Sequence, residues 1–473
     1  MRLWLAGLAA VMLVMARPAA AHAFGARYDL PLPLGLYLAA AGAAVAASFL
    51  GGMMFMGAAG RRSLTLEIEF PLWAGRAVST LLGVGGLLVL GVLLGAAFSG
   101  PQEAVRNLAT VGIWVIWWVG FLLFSALVIS LWPQVDPFQK VSRLAARAVG
   151  RPWTEGAPEM PAVAGLLAPI GLLAIAWLEL ISDWSESPQA LGLLVALYLL
   201  VSIAGGLAFG QHWFRIADPL NRILAALGRV APLAIADRTT LRLRPPGEGL
   251  LERHAQPFGE VALVCGLIGI VLFNGLSETP AWAAVLDFVS ESRTLRPPLL
   301  WLRDQGADLM KVIRTLGLFA TVLAFYTAYQ LLVVVMQALV KSGLGREELA
   351  RHFVGTLLPI AVAYHLSHYV SYLLLAGQLI LPAASDPFGR GWDLFGTADR
   401  SIDIGVIGAE QVWWIAFMAL IAGHALSVLV AHRRAVVLFL DPRRAALSQF
   451  PMTLAMIGLT VLSLWILSQP ITE

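Results

Sequence analysis

Apolar runs of about twenty residues, each closed by a short polar segment, recur along the whole chain. Examples are "LGLYLAAAGAAVAASFL" near the start, "LLPIAVAYHLSHYVSYLLLAGQLIL" late, and "QVWWIAFMALIAGHALSVLVAH" directly after it. A helix of about 20 such residues is long enough to cross the hydrocarbon core of a bilayer. The pattern predicts ten transmembrane helices, over approximately 34–56, 77–98, 108–133, 161–183, 188–209, 260–274, 313–340, 353–383, 411–432 and 448–468. The fold class expected is therefore all-α, a polytopic transmembrane helical bundle forming one domain over 22–473. Ahead of it, Arg2, the short apolar run "LWLAGLAAVMLVMA" and the break "RPAAA" read as a cleavable signal peptide over 1–21. Cleavage after Ala21 leaves His22 as the first residue, whereas cleavage after Ala23 removes it.

The polar connections carry the orientation. A cleaved signal places the mature N-terminus outside, and the connections then assigned to the inside hold 21 Lys and Arg against 8 outside. That is the asymmetry the positive-inside rule requires, and the localisation expected is the inner (cytoplasmic) membrane of a bacterium. Two connections are long enough to hold interfacial helices, near 210–259 and 275–312. In the first, Arg215, Arg222 and Arg229 recur every seven residues opposite Leu220, Ile223, Leu224 and Leu227. Such a helix either lies flat in the interface or is covered beneath the bundle. Asp-Pro occurs four times, at Asp136, Asp218, Asp386 and Asp441, and reads first as a helix cap followed by a first-turn proline.

Composition removes other classes. Of 473 residues 59% are hydrophobic and 13% charged, against about 25% charged in soluble domains, and the mean hydropathy is +0.79. The net charge is only +3, and the partners expected are the lipid bilayer and a small apolar substrate, not nucleic acid. Cys265 is the single cysteine, which excludes an internal disulfide and any multi-thiolate metal site.

Ionisable groups inside spans are costly and point to function. His365 and His368 stand three apart on the eighth span, roughly 15–20 Å above its cytoplasmic end, and His424 lies roughly 12 Å up the ninth. Consecutive spans pair readily, so the three imidazoles are candidate ligands for a divalent metal, zinc or copper. His22, if terminal, is a fourth candidate. The plain alternative is that each ring bonds a neighbouring carbonyl or tyrosine and holds helices together; a bis-histidine haem on His368 and His424 is another. Asp386 and Asp393, in the glycine-rich "SDPFGRGWDLFGTADRSIDIG", and Tyr369 are the candidate catalytic residues. Glu179 and Asp183 sit near the end of the fourth span, where they are expected to meet solvent, and Asn274, Ser277 and Glu278 end the sixth.

Four segments have a distinctive wording: "HAFGARYDLPLPLGLYLAAAGAAVAASF", "AWLELIS", "LLPIAVAYHLSHYVSYLLLAGQ…SDPFGRGWDLFGTA" and "AGHALSVLVAHRRAVVLFLDPRRAALSQFPM". Together they resemble the bacterial membrane proteins known as fenitrothion hydrolases, over most of the chain. The resemblance implies hydrolysis of an organophosphorus triester with release of a nitrophenol. His22, His368, His424 and His432 fall on histidines of that pattern and His365 does not; Asn274 stands where the pattern has an aspartate. A metal-bound water, with its pKa lowered to about 7, is the nucleophile expected of a hydrolase built on these histidines. Two other classes fit the same residues: a metal or solute transporter, and a haem- or quinone-linked redox protein.

Overall fold

A computed structural model of the chain describes residues 32–55, 65–237, 239–252, 257–341, 343–439 and 441–469. The expected signal peptide and His22 lie outside the described residues. Among the described residues ten helices are long and apolar enough to cross a membrane, and each coincides with an expected span. They are α1 (Leu34–Phe55), α2 (Leu72–Ser99), α3 (Leu108–Leu127), α5 (Ala162–Leu180), α6 (Pro188–Phe209), α9 (Glu260–Ser277), α12 (Leu309–Val340), α13 (Arg346–Ser385), α14 (Ala409–Leu438) and α15 (Pro442–Ser468). Shorter helices fill the connections: α4 (Pro137–Ala148), α7 (Gln211–Ile216), α8 (Pro219–Gly228), α10 (Pro280–Glu291) and α11 (Arg296–Asp304). The chain is thus a multi-pass helical membrane protein.

Three spans depart from regular α-helix, one of them, α5, only in its 3-10 first turn at Ala162–Leu166. Over Val111–Phe121, "VGIWVIWWVGF", α3 is π-helical, a winding that usually appears as a single turn and often at a functional site. In α13, tight turns at Gly355–Leu357 and Gly377–Leu379 flank the segment Leu358–Ala376. Pro359 stands in the first turn of that segment, where its missing N–H would have had no partner within it.

The connections fall into two sets, one at each end of the bundle. One end carries a small antiparallel sheet in the order β1 (Leu66–Glu69), β3 (Thr240–Leu243), β2 (Leu233–Ile235). Glu67 faces Arg242 across it and pairs with its guanidinium at 2.8 Å. This sheet was not expected; its signal is only four residues of alternating "LEIE" and "LRL". The other end carries α10, α11 and the long loop 386–408.

The heptad of arginines resolves in favour of a covered helix. Asp218 caps α8 through the Asn221 N–H at 2.9 Å, and Pro219 starts it, so the run breaks into α7 and α8. Arg222 is 5% exposed and donates to Glu260 Oε2 at 2.8 Å, while Arg229 pairs with the other oxygen of the same carboxylate. Leu220, Ile223, Leu224 and Leu227 are buried against the bundle. A second polar knot holds α4 beside it. Asp136 caps α4 through the Phe138 and Gln139 N–H groups, and Asn221 Nδ2 bridges Asp136 at 2.9 Å and Asp218 at 3.0 Å. Burial first, and the neighbouring Asp218 charge second, push the Asp136 carboxyl up to about 7.

Candidate functional site

The seam between α13 and α14 decides where the histidines point. Gly423 of α14 packs so closely that a Cβ there would collide with Ala363 and sit 2.7 Å from the Pro359 carbonyl oxygen. One turn on, the Ser367 hydroxyl shares its proton between Ala363 O of its own helix, 2.7 Å, and Ala416 O across the seam, 3.0 Å. Positions 359, 363 and 367 are therefore the face of α13 that meets α14. At 3.6 residues per turn, His365 lies about 200° round from Ala363, on the opposite face. The two spans do pair antiparallel, as expected, but His365 is turned away from α14.

His424 is fully buried, and its Nδ1 bonds to Leu420 O one turn earlier at 2.8 Å. A carbonyl only accepts, so Nδ1 carries the proton, and Nε2 is left without a hydrogen-bond partner. His432, also buried, bonds to Gln449 Oε1 of α15 at 3.0 Å. Among the described residues no three His, Cys, Asp or Glu side chains are grouped to hold a metal ion. The expected His365–His368–His424 set is not assembled there: His365 and His368 both pack on Tyr369, whereas His424 bonds to Leu420 O of its own helix.

On the far face of α13 a different cluster forms around Tyr369. Its hydroxyl donates to Glu179 Oε1 of α5 at 2.9 Å and accepts from Asn274 Nδ2 of α9 at 2.8 Å. Trp118, in the π-helical part of α3, donates its indole N–H to Glu179 Oε2 at 2.7 Å. The His365 ring lies 4.7 Å from the Tyr369 ring and the His368 ring meets it edge-on at 4.8 Å. Four spans thus contribute one polar group each to a single knot.

The knot borders a cavity of about 40 Å³ lined by Glu179, His365, Tyr369, Trp118 and apolar side chains of α3, α5, α8, α9 and α13. That is room for a few waters, far below the roughly 300–1,000 Å³ that encloses a drug-sized ligand. His365 Nε2 is buried with no hydrogen-bond partner, so its ring adds an uncommitted nitrogen to the residues that line the cavity. Glu179, expected to meet solvent, instead carries two hydrogen bonds inside the bundle. Its place on the last turn of α5 hid this, since the apolar pattern does not say which face of a helix end is covered. Trp118 had no signal that set it apart from Trp114 and Trp117. Tyr369 is the one expected catalytic residue that lies in the cluster.

Asp386 and Asp393 do not reach it. The Asp386 carboxylate accepts from the Arg390 and Gly391 N–H groups at 2.9 and 2.8 Å, and so closes a turn in its own loop. Asp393 accepts from the Ser385 hydroxyl at 2.9 Å and the Ala398 N–H at 3.0 Å. Desolvation pulls the Asp386 carboxyl up and the ring of backbone donors outweighs it, holding it below the usual range. The Ala398 N–H and the Ser385 hydroxyl hold Asp393 low in the same way. Both are loop organisers. Of the four Asp-Pro sites, Asp136, Asp218 and Asp441 cap helices as expected and Asp386 does not.

No family model, no curated protein and no solved structure matches the chain.

Proposed function

We propose that the chain is a membrane-embedded hydrolase of small apolar esters, with organophosphorus triesters as the class that the resemblance implies. The observation that carries this reading is the meeting of a carboxylate, an imidazole and a phenol on one water-sized cavity, walled elsewhere by apolar side chains. In that setting Glu179 is the general base. It takes a proton from a water in the cavity, the water oxygen bonds to phosphorus, and the bond to the aryloxy group breaks with nitrophenolate leaving as the anion. Trp118 and Tyr369 hold the carboxylate in place, and Asn274 holds Tyr369. His365 is the candidate to relay the proton onward from Glu179. Among the described residues no three potential ligands are grouped to hold a metal ion, and no step is routed through one.

The end carrying the sheet is assigned to the cytoplasm, on the excess of Lys and Arg in its connections. That puts the Glu179 knot in the outer half of the bundle, where a neutral triester dissolved in the membrane can reach it by partition.

The test is release of nitrophenolate from fenitrothion by detergent-purified protein. Glu179→Gln is expected to lower kcat by about 10²–10⁴, the usual contribution of a general base, while His424→Ala keeps the activity. Treatment with a chelator is expected to change nothing. Loss on chelation with recovery on added zinc would return the metal to the mechanism. Uptake of the triester into proteoliposomes without nitrophenolate release would make the chain a carrier instead.

A further inference from the structure

The helix α10 has three sides. Counted at about 100° per residue from Trp282, Leu286 and Val289 fall within about 40° of it. Asp287, Ser290 and Glu291 fall between about 80° and about 180°, and Ala281, Ala284, Val285 and Phe288 between about 200° and about 300°. The first side is turned to the protein, where Trp282 is buried and Leu286 packs on the core. The second is polar and exposed. The third is apolar, yet Val285 and Phe288 on it are 43% and 68% exposed. A helix between protein and water has two sides, one apolar and covered, one polar and wet; the third side calls for another medium.

The depth of α10 is set by Trp282. Only two residues separate α10 from the end of α9 at Ser277. The Trp282 ring meets Phe273 of α9 edge-on at 5.6 Å, and a Cβ on Gly317 of α12 would collide with it. Gly317 stands eight residues beyond the start of α12 at Leu309, about 12 Å along its axis. Beside it, Leu316 and Phe319 are exposed on the outside of that membrane-spanning helix. The first turn of α10 is thus fastened at a level where α12 already presents apolar side chains outward. Trp301 of α11 and Trp184 beyond α5 are exposed at this end too, and Asp183, next to Trp184, pairs with Lys311 in the first turn of α12. Exposed tryptophan is typical of the boundary between acyl chains and headgroups.

We propose that α10 lies along the leaflet at its end of the bundle, with Ala281, Ala284, Val285 and Phe288 seated among phospholipid acyl chains and Asp287, Ser290 and Glu291 in water. Lipid is the medium that covers the apolar side and leaves the polar side, about a third of a turn away, wet. The placement does not rest on the hydrolase reading. It bears on the polar knot all the same: Phe273 precedes Asn274, so Trp282 ties the lipid-seated helix to the turn of α9 that holds Tyr369.

The experiment puts a nitroxide label on single cysteines in a Cys265→Ser background, with the full chain in phospholipid nanodiscs. The sites are Val285→Cys and Phe288→Cys on the apolar side, Asp287→Cys and Glu291→Cys on the polar side, and Leu286→Cys on the protein side. Power-saturation EPR compares collision with oxygen, which concentrates in lipid, and collision with a water-soluble nickel chelate. Labels at positions 285 and 288 are expected to meet oxygen several times more than nickel, and labels at 287 and 291 the reverse. The label at 286 is expected to be slow and shielded from both, which shows α10 docked in the labelled protein; a mobile label there overturns the placement. Four surface labels that all meet nickel overturn it, because the apolar side is then wet. Four that all favour oxygen overturn it as well, because the helix is then sunk in lipid. Labels at 285 and 288 shielded from both reagents give the apolar side to protein instead and overturn the lipid seat.

Discussion

Tyr369 joins three spans through a single oxygen, since its hydroxyl gives a proton to Glu179 and takes one from Asn274. Tyr369→Phe keeps the ring against His365 and removes both bonds, which leaves a buried amide and a carboxylate each short of a partner. An unmade buried hydrogen bond costs about 1–3 kcal/mol, so kcat is expected to fall by roughly tenfold to a hundredfold in the nitrophenolate assay, with KM little changed. Asp136 supplies a prediction at the opposite end of the bundle. Its folded carboxyl titrates near 7, above the ordinary 3.8, so the folded state holds a proton there that the unfolded state has already lost. Stability from this group is present below about 4 and falls as the pH rises toward 7. Asp136→Asn keeps a good helix cap and does not titrate, so the decline in thermal midpoint between pH 5 and 8 is expected to be shallower than in the wild type.

Among the elements, the spans were legible because an apolar run of about twenty residues has no other stable fate in a bilayer. What the sequence withheld was rotation. The spacing of His365 and His368 puts them near one another but does not say which neighbour they face. The small residues that decide it, Ala363 and Gly423, carry no chemical signal of their own. Gly423→Leu is expected to force α13 and α14 apart, at a cost of about 1–3 kcal/mol from overpacking, and to lower the unfolding temperature measured by intrinsic fluorescence in detergent. The π-helical stretch of α3 escaped for a related reason: "VGIWVIWWVGF" is apolar on all sides, so no periodicity marks the change of winding that presents Trp118 to Glu179. On α8, loss of the shared carboxylate in Glu260→Gln leaves Arg222 and Arg229 buried with a neutral partner. Removing one member of such a buried set costs about 3–5 kcal/mol, and a chemical-denaturation midpoint well below the wild type is the expected readout.

At the scale of the whole molecule, ten spans and their order were readable from hydropathy, whereas the polar centre was readable only in part. Tyr369 and the neighbourhood of Asn274 were visible, Glu179 was misplaced into solvent, and the loop carboxylates Asp386 and Asp393 drew attention that belongs to turn formation. The charge asymmetry of the connections makes a direct prediction. In a Cys265→Ser background, Thr294→Cys between α10 and α11 is expected to react with a membrane-impermeant maleimide in intact cells. Thr154→Cys in the opposite set of connections is expected to react only after permeabilisation; the reverse pattern would invert the bundle. The helix pinned by Arg222, Arg229 and Glu260 has a final consequence. It fastens the connection between α6 and α9 to the first residue of α9, so that connection cannot swing away without stripping two guanidinium groups of their shared carboxylate.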